Sequence, residues 1–377
     1  MENNEEKMSE IFSLLKIMKE KNGSDMFITV GSPPAIKING YMTVLDYTSL
    51  TPEDSERLVL STMNEKQRND FYATSECNYA ISFDNLGRFR VNVFKQRQHV
   101  GMVVRIINTE IPELSALNVP EKLGEIIMGK RGLVIVVGAT GSGKSTTLAA
   151  MIGYRNKNQA GHIITIEDPI EFVHPHHKSI VTQREVGVDT VDFESALKNA
   201  LRQAPDVILI GEIRDKHTME HALELSETGH LCLATLHANN ANQALDRIVN
   251  FFTEEVRPKL LMDLSLNLKG IISQRLIPNV NGKRSPAVEI LLNSPRISDL
   301  IKDGNIPGIK EAMKASRVDG MQTFDQALFD LYEMSLISFE DAIRNADSQG
   351  DLKLEINLHS KLKSITKAGL AKLAVIE

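Results

Sequence analysis

The stretch Val134-Ile135-Val136-Val137-Gly138-Ala139-Thr140-Gly141-Ser142-Gly143-Lys144-Ser145 decides the fold. It joins a run of β-branched residues to the pattern G-x-x-x-x-G-K-S, which is typical of a phosphate-binding loop. A continuous β-branched run is typical of a strand buried on both faces of a parallel sheet. The glycines let the backbone turn tightly, so that its N–H groups can point at phosphate oxygens. The sequence therefore predicts a buried strand, an anion-binding loop and a helix that begins near Ser145.

This loop predicts that the chain binds a nucleoside triphosphate together with Mg²⁺. We expect its backbone N–H groups to contact the phosphates, and the Lys144 ammonium to reach the β- and γ-phosphates. The Ser145 hydroxyl is the expected protein ligand of Mg²⁺. The predicted nucleotide-contacting residues of the loop are Gly138, Ala139, Thr140, Gly141, Ser142, Gly143, Lys144, Ser145 and Thr146.

The overall composition is that of an ordinary globular protein. The chain has 377 residues, 42% hydrophobic and 24% charged, which predicts two or three domains. No apolar run approaches the length of a membrane span, and the acidic, polar N-terminus argues against a secretory signal. Cys77 and Cys232 share no metal-binding spacing and indicate a reduced compartment. We therefore expect a cytoplasmic protein.

The character of the sequence changes along the chain. Residues 1–111 predict a small α+β domain, residues 112–120 a linker, residues 121–350 an α/β domain, and residues 351–377 a tail. The sequence does not assign this tail to helix, strand or disorder.

Several elements of the two domains can be predicted. Thr51-Pro52 indicates the start of a helix that would run to about Phe71. Beyond about Arg257, apolar spacing through Leu260, Leu264 and Leu268 predicts helical structure. The predicted core strands of the parallel sheet are residues 133–137, 162–166, 207–210 and 231–235.

Glu212 is the predicted acidic residue for the metal ion. It follows an apolar strand, as a Walker B carboxylate does, but Gly211 occupies the position where aspartate is usual. We expect Glu212 to act on Mg²⁺ through water. The alternative is a carboxylate that merely pairs with Arg214.

A second strand ends in an acidic turn that contains Glu167, Asp168 and Glu171. Carboxylates this close repel one another unless a cation or an ordered water lies nearby. Glu167 is therefore the candidate for orienting water or acting as general base, with Asp168 as helper and Glu171 as the second choice. The alternative is a solvated acidic loop.

Histidines and arginines complete the candidate site. His237 ends a core strand and is predicted to hydrogen-bond the γ-phosphate, and His230, before the same strand, is a weaker candidate for nucleotide contact. Arg88 and Arg90 alternate along a strand and so share one face. On spacing alone, an exposed basic strand is the favoured interpretation of this pair.

Together these motifs resemble the secretion ATPase superfamily, which powers type II secretion, type IV pili and some conjugation machines. Residues 138–147, 164–171, 208–215 and 228–237 resemble its Walker A, Asp, Walker B and His boxes, in that order. The strongest similarity is to the pilus-retraction branch, the PilT/PilU family. This similarity extends to residues 24–27, 31–34, 87–92 and 320–323.

The resemblance implies a RecA-like P-loop ATPase domain, preceded by a smaller PAS-like α+β domain, and assembly as a homo-hexamer. ATP would lie between subunits, where Arg88, Arg90 and Arg105 would contribute from the neighbouring N-terminal domain. The implied activity is ATP hydrolysis that drives pilus retraction and twitching motility. The implied partners are a PilT-like paralogue and an inner-membrane platform protein, so the protein would be peripheral to the cytoplasmic face of that membrane.

Two departures favour the PilU side of this family. Of the helix motif of the retraction branch, residues 296–303 keep only Ile297, Leu300 and Ile301, and the tail is longer than that of PilT. Three alternatives stay open: a type II secretion or conjugation ATPase, a weakly hydrolysing regulatory ring, and a nucleic-acid translocase. The net charge of −6 argues against nucleic acid.

Overall fold

The chain forms two units, each with its own sheet. The computed structural model describes residues 2–38, 40–84, 86–107 and 110–362, with side chains from residue 10 onward. Unit 1 consists of Met1–Glu110, Ile170–Val173 and Glu185–Val191. Unit 2 consists of Ile111–Pro169, His174–Arg184 and Asp192–Glu377. Each unit is described separately below.

Unit 1 is an antiparallel sheet with helices, as the α+β prediction requires. Its sheet has the order β3-β2-β1-β6-β5-β4. On β5 the alternation places Phe89, Val91 and Val93 at 0% exposure, in one core with residues of α1 and α2. The elements are α1 (Glu2–Glu20), β1 (Asp25–Ile28), β2 (Ala35–Ile38), β3 (Tyr41–Val44), α2 (Pro52–Ser61), α3 (Glu65–Thr74), β4 (Glu76–Phe83), β5 (Gly87–Gln96) and β6 (His99–Ile107).

The helix predicted from residue 51 to about residue 71 is two helices, so that prediction was wrong in its length. The Thr51 cap is confirmed, because its side chain accepts a hydrogen bond from the Asp54 N–H. The break is caused by Asn64, whose side chain accepts from the Gln67 N–H while the Gln67 side chain accepts from the Asn64 N–H. This reciprocal cap starts a new helix four residues after the first one ends.

Unit 2 is built on a seven-stranded sheet of order β13-β12-β7-β11-β10-β8-β9. Neighbouring strands from β12 to β8 are parallel. The predicted parallel sheet is confirmed, and each of the four predicted strands is present. The elements up to the sheet's fifth strand are α4 (Lys122–Ile127), β7 (Gly132–Val137), α5 (Lys144–Asn158), β8 (Gly161–Glu167), β9 (Ser179–Glu185), α6 (Phe193–Ala200), β10 (Val207–Ile210), α7 (Lys216–Glu227) and β11 (Leu231–Leu236).

Helical structure is expected beyond Arg257, but two segments of this region are β-strands, so the prediction was wrong there. The helical spacing ends at Leu268, which is extended and begins β12. β12 and β13 pair antiparallel, and both are rich in buried β-branched residues such as Ile271, Ile272 and Ile290. The remaining elements are α8 (Ala241–Asn250), α9 (Arg257–Asn267), β12 (Leu268–Pro278), β13 (Arg284–Leu292), α10 (Pro295–Lys302), α11 (Pro307–Ala315), α12 (Phe324–Glu333), α13 (Phe339–Asn345) and α14 (Gln349–His359).

The predicted tail begins within α14. Leu352 and Ile356 of this helix are buried in a cluster with residues of α12 and α13, so residues 351–359 are an ordered helix. The rest of the predicted tail, residues 363–377, lies outside the described residues. Among the residues described, no helix has both the length and the apolar character needed to cross a membrane.

Candidate nucleotide and active site

The phosphate-binding loop connects β7 to α5, where the sequence predicts it. Gly138, Gly141 and Gly143 have φ values of 152°, 77° and 87°, in the region that favours glycine. α5 begins at Lys144, so the loop ends at the amino terminus of a 15-residue helix. Helix N-terminal N–H groups and the helix dipole together favour an anion at this position.

Lys144 lies over the loop. Its Nζ atom donates to the Gly138 carbonyl at 2.7 Å and to the Ala139 carbonyl at 2.9 Å. Burial lowers the pKa of Lys144, and the nearby Glu212 carboxylate opposes this shift. The ammonium group is therefore held at the mouth of the loop, within electrostatic range of the Walker B carboxylate.

The loop fits a polyphosphate in two further respects. The Ser142 hydroxyl is buried and has no hydrogen-bond partner within the described part of the chain, so a polar partner is missing there. Beside Gly138, Ala139 and His237 is an open cavity of about 700 Å³, within the usual volume range of ligand pockets. Ser145 is exposed in the first turn of α5, where its hydroxyl can take a metal ligand's role.

One residue that contacts the phosphate loop was not predicted from the sequence. Gln274 of β12 is only 2% exposed. Its Nε2 donates to the Ser142 carbonyl at 2.9 Å, and its Oε1 accepts from the Thr147 hydroxyl at 2.8 Å. The signal in the sequence is a polar residue close to the apolar residues Ile271 and Ile272. It was missed because the apolar spacing predicts helix in this region, and because Gln274 and Ser142 are 132 positions apart in the chain.

Glu212 follows β10 at the carboxyl edge of the parallel sheet. Its Oε2 lies 2.7 Å from Arg214 Nε, and its Oε1 lies 3.3 Å from His237 Nε2. The pairing with Arg214 is therefore present, together with a contact to the predicted γ-phosphate histidine. Glu212 is mostly buried, at 18% side-chain exposure, which limits screening of this cluster by water.

Steric crowding favours glycine at position 211, where aspartate is usual. A Cβ atom on Gly211 would lie 3.1 Å from the Ile166 carbonyl oxygen and 3.1 Å from the Glu167 Cα. The ends of β8 and β10 therefore approach closely at this position, and a side chain on residue 211 would require the backbone of β8 to shift by a few tenths of an ångström. Glycine avoids this crowding.

The Asp box contributes Glu167 and Asp168 to the same edge. Glu167 Oε1 accepts hydrogen bonds from the Thr165 hydroxyl at 2.6 Å and from Gln183 Nε2 at 3.2 Å. Asp168 Oδ2 lies 3.2 Å from Arg214, which thus bridges Asp168 and Glu212. Glu171, the second choice for the base, is exposed and belongs to unit 1.

The two predicted histidines lie at opposite ends of β11. His237 follows the carboxyl end and contacts Glu212. His230 precedes the amino end, beside Gly132 at the start of β7, and its Nδ1 lies 3.1 Å from the Leu225 carbonyl. Within one chain the structure therefore groups His237 with the phosphate loop and separates His230 from it.

The three predicted arginines form a group within unit 1. Arg88 and Arg90 are on the same face of β5, and Arg90 is directly opposite Arg105 on β6. Arg105 Nε lies 2.6 Å from Asp25. Burial raises the pKa of Glu185, and the charges of Arg88 and Arg90 oppose this shift, so this carboxylate faces the pair.

A parallel sheet, a phosphate loop after its strand β7, and acidic residues at the carboxyl ends of β8 and β10 define a P-loop nucleoside triphosphatase. Residues 75–372 match the family model described as type II/IV secretion system protein. The chain belongs to this family and, within it, to the PilT/PilU ATPases, as the sequence resemblance predicts.

Three known proteins document this similarity. The chain is 58% identical to the type IV pilus ATPase PilU of Pseudomonas aeruginosa over 93% of its own length and 92% of that protein. It is 40% identical to PilT of the same organism, over 89% of this chain and 98% of PilT. The crystal structure of the pilus retraction motor PilT with bound ADP has 44% identity and a TM-score of 0.84, over 90% of this chain and 98% of that one.

Proposed function

We propose that this protein is a hexameric ATPase motor that hydrolyses ATP to drive type IV pilus retraction, acting as a PilU-like accessory ATPase. The observation that carries the proposal is the convergence of Lys144, Glu212 and His237 at one sheet edge in a chain 58% identical to PilU. A pilus motor needs both a hydrolytic site and a matching partner surface, and similarity over nearly the whole chain supports both.

The residues of the phosphate loop would hold the triphosphate. Its N–H groups and the α5 terminus would bind the phosphates, and Lys144 would exchange the Gly138 and Ala139 carbonyls for phosphate oxygens. Ser145 and, through water, Glu212 would hold Mg²⁺, which when bound neutralises charge on the phosphates.

Glu167 would orient the attacking water and accept its proton. The two donors on its Oε1 hold the carboxylate in one orientation, as a general base requires. His237 would donate a hydrogen bond to the γ-phosphate while its contact with Glu212 sets the ring's direction. Arg214 holds Asp168 and Glu212 together despite their like charges.

Completion of the site would need a second subunit. Arg88, Arg90 and Arg105 lie on one sheet face of unit 1, and cations that stabilise transferring phosphates are often supplied by a neighbouring chain. We propose that a homo-hexamer supplies them in this way, at the cytoplasmic face of the inner membrane. Its partners would be a PilT-like paralogue and the platform protein of the pilus.

Deletion of the gene in a piliated strain tests this function. We expect twitching motility, or retraction under load, to fall while surface pili are retained, and wild-type protein to restore it. The K144A variant should not restore it, whereas K130A should, because Lys130 is an exposed lysine before the opposite end of β7. A secretion defect with normal pilus retraction would refute the proposal in favour of a secretion ATPase.

A further inference from the structure

β12 contributes a side chain to the phosphate loop that none of the loop's own motif positions explains. Gln274 is 2% exposed and uses both ends of its amide. The Thr147 hydroxyl donates to Oε1 at 2.8 Å, so the amide nitrogen is left to donate to the Ser142 carbonyl at 2.9 Å. One side chain thus ties the loop to the first turn of α5.

The bond to Ser142 has a consequence for the next residue. The Ser142 carbonyl and the Gly143 N–H belong to the same planar trans peptide, so they point in opposite directions. Because Gln274 draws the carbonyl toward β12, the Gly143 N–H points away from β12. That N–H is one of the donors by which such a loop surrounds phosphate oxygens.

Two glycines of the loop lie against β12 at this residue. A Cβ on Gly143 would lie 2.6 Å from Gln274 Nε2, and a Cβ on Gly138 would lie 2.5 Å from Ser142 Oγ and 2.6 Å from the Gln274 backbone oxygen. Gly143 therefore leaves space for the Gln274 side chain, and Gly138 for the backbone of β12. Gly141, by contrast, has nothing within 4 Å of a Cβ.

We propose that Gln274 is a positioning residue of the nucleotide site, which fixes the Ser142–Gly143 peptide so that its N–H is presented to the phosphates before nucleotide binds. The inference rests on the proposed function, because it assumes that this loop binds nucleotide. The hydrogen bonds of the Gln274 side chain go to the phosphate loop and α5, whereas Glu167, Glu212 and His237 come from other strands. Its loss should therefore weaken binding more than the chemical step.

The test compares Q274M, which keeps the length of the side chain and removes both hydrogen bonds, with Q322M. Gln322 is the matched control, because its Nε2 also donates to a backbone carbonyl, that of Val288, at 2.9 Å. For Q274M we expect the Kd for Mg-ADP, by calorimetry, and the KM for ATP to rise roughly tenfold, with a smaller change in kcat. Q322M should bind as wild type does.

A second pair of variants tests the link that Gln274 makes between Thr147 and Ser142, this time by changing the residue on α5. T147V removes the donor to Gln274 Oε1, whereas T147S keeps it, so T147V should weaken Mg-ADP binding and T147S should not. The double variant Q274M/T147V should bind about as weakly as Q274M alone, since both changes break one bridge.

The possible outcomes distinguish failure of the proposed nucleotide site from failure of the proposed role of Gln274. Wild-type protein that does not bind Mg-ADP would refute the proposed nucleotide site itself. Wild-type protein that binds, together with folded Q274M whose Kd equals that of Q322M, would overturn the role of Gln274 alone. If Q274M does not fold, equal affinities of T147V and T147S would overturn it.

Discussion

At the scale of single residues, the candidate site depends on which groups its carboxylates contact. A Cβ atom at Gly211 would crowd Ile166 and Glu167, and the next residue, Glu212, lies between Arg214 and His237. We propose different roles for Glu212 and Glu167 because their contacts differ: Glu212 contacts Arg214 and His237, whereas Oε1 of Glu167 accepts from two neutral donors.

Lys144 and Glu212 should separate binding from hydrolysis. We expect K144A and E212A both to lose ATP turnover, but only K144A to lose affinity as well, by roughly tenfold or more, because it removes a charge-assisted contact to phosphate. K130A is the charge-matched control. Calorimetry with Mg-ADP and a phosphate-release assay measure the two effects, and equal turnover in all proteins would contradict the site assignment.

The choice of general base can be tested by a neighbouring pair. E167Q should reduce kcat by about 10²-fold or more, while E171Q should leave it nearly unchanged, because Glu171 is exposed and lies in unit 1. Both substitutions remove one negative charge from the same acidic turn. A larger loss of kcat in E171Q would transfer the role to that residue.

At the scale of elements, the β12–β13 hairpin connects regions far apart in sequence. Gln274 reaches the phosphate loop, while Arg275 bonds the Asn239 and Asn345 carbonyls and Asp347. On β13, the buried Glu289 accepts from the Ala241 N–H at 2.7 Å, at the start of α8. The hairpin thus links the loop, the segment after His237 and the C-terminal helices.

Glu289 makes stability depend on pH. Burial raises its pKa to about 7 from 4.5, so the folded state holds a proton that the unfolded state releases. This stabilisation is fully present below about pH 4.5 and is lost as pH rises through 7. The shift corresponds to about 3 kcal/mol at most.

We therefore expect the Tm of wild type to fall more between pH 5 and pH 8 than that of E289Q, which has no proton to release. Asp325, whose pKa burial also raises, is present in both proteins and cancels in the comparison. E224Q, an exposed change on α7, should follow wild type. Parallel Tm curves for wild type and E289Q would exclude a raised pKa at Glu289.

At the scale of the whole molecule, the proposal requires a neighbour to complete each site. If Arg90 acts across a subunit interface, R90A and K144A proteins, each inactive alone, should regain part of the turnover when mixed in rings. Mixtures of K144A and E212A should stay inactive, because both changes lie in the same subunit's site. Failure of the first mixture in rings shown to exchange subunits would place Arg90 outside a shared site.

The sequence predicted features that depend on neighbouring residues, but not those that depend on contacts between residues far apart in the chain. The strand before the phosphate loop, the loop itself and the cap at Thr51 are local patterns, and the structure has each of them. The hairpin β12–β13 was missed because Leu260 and Leu264 continue in register to Leu268. Gln274 and the steric reason for Gly211 arise from contacts between distant strands, which spacing does not encode.

The three-part composition of unit 1 has a topological consequence. The backbone leaves unit 2 at Pro169 and enters unit 1 at Ile170, three residues after Glu167. Three residues of fully extended chain span at most about 11 Å, so the crossing into unit 1 lies close to this carboxylate along the backbone. The strand end that carries the proposed general base is therefore also a covalent route by which the chain passes from one unit to the other.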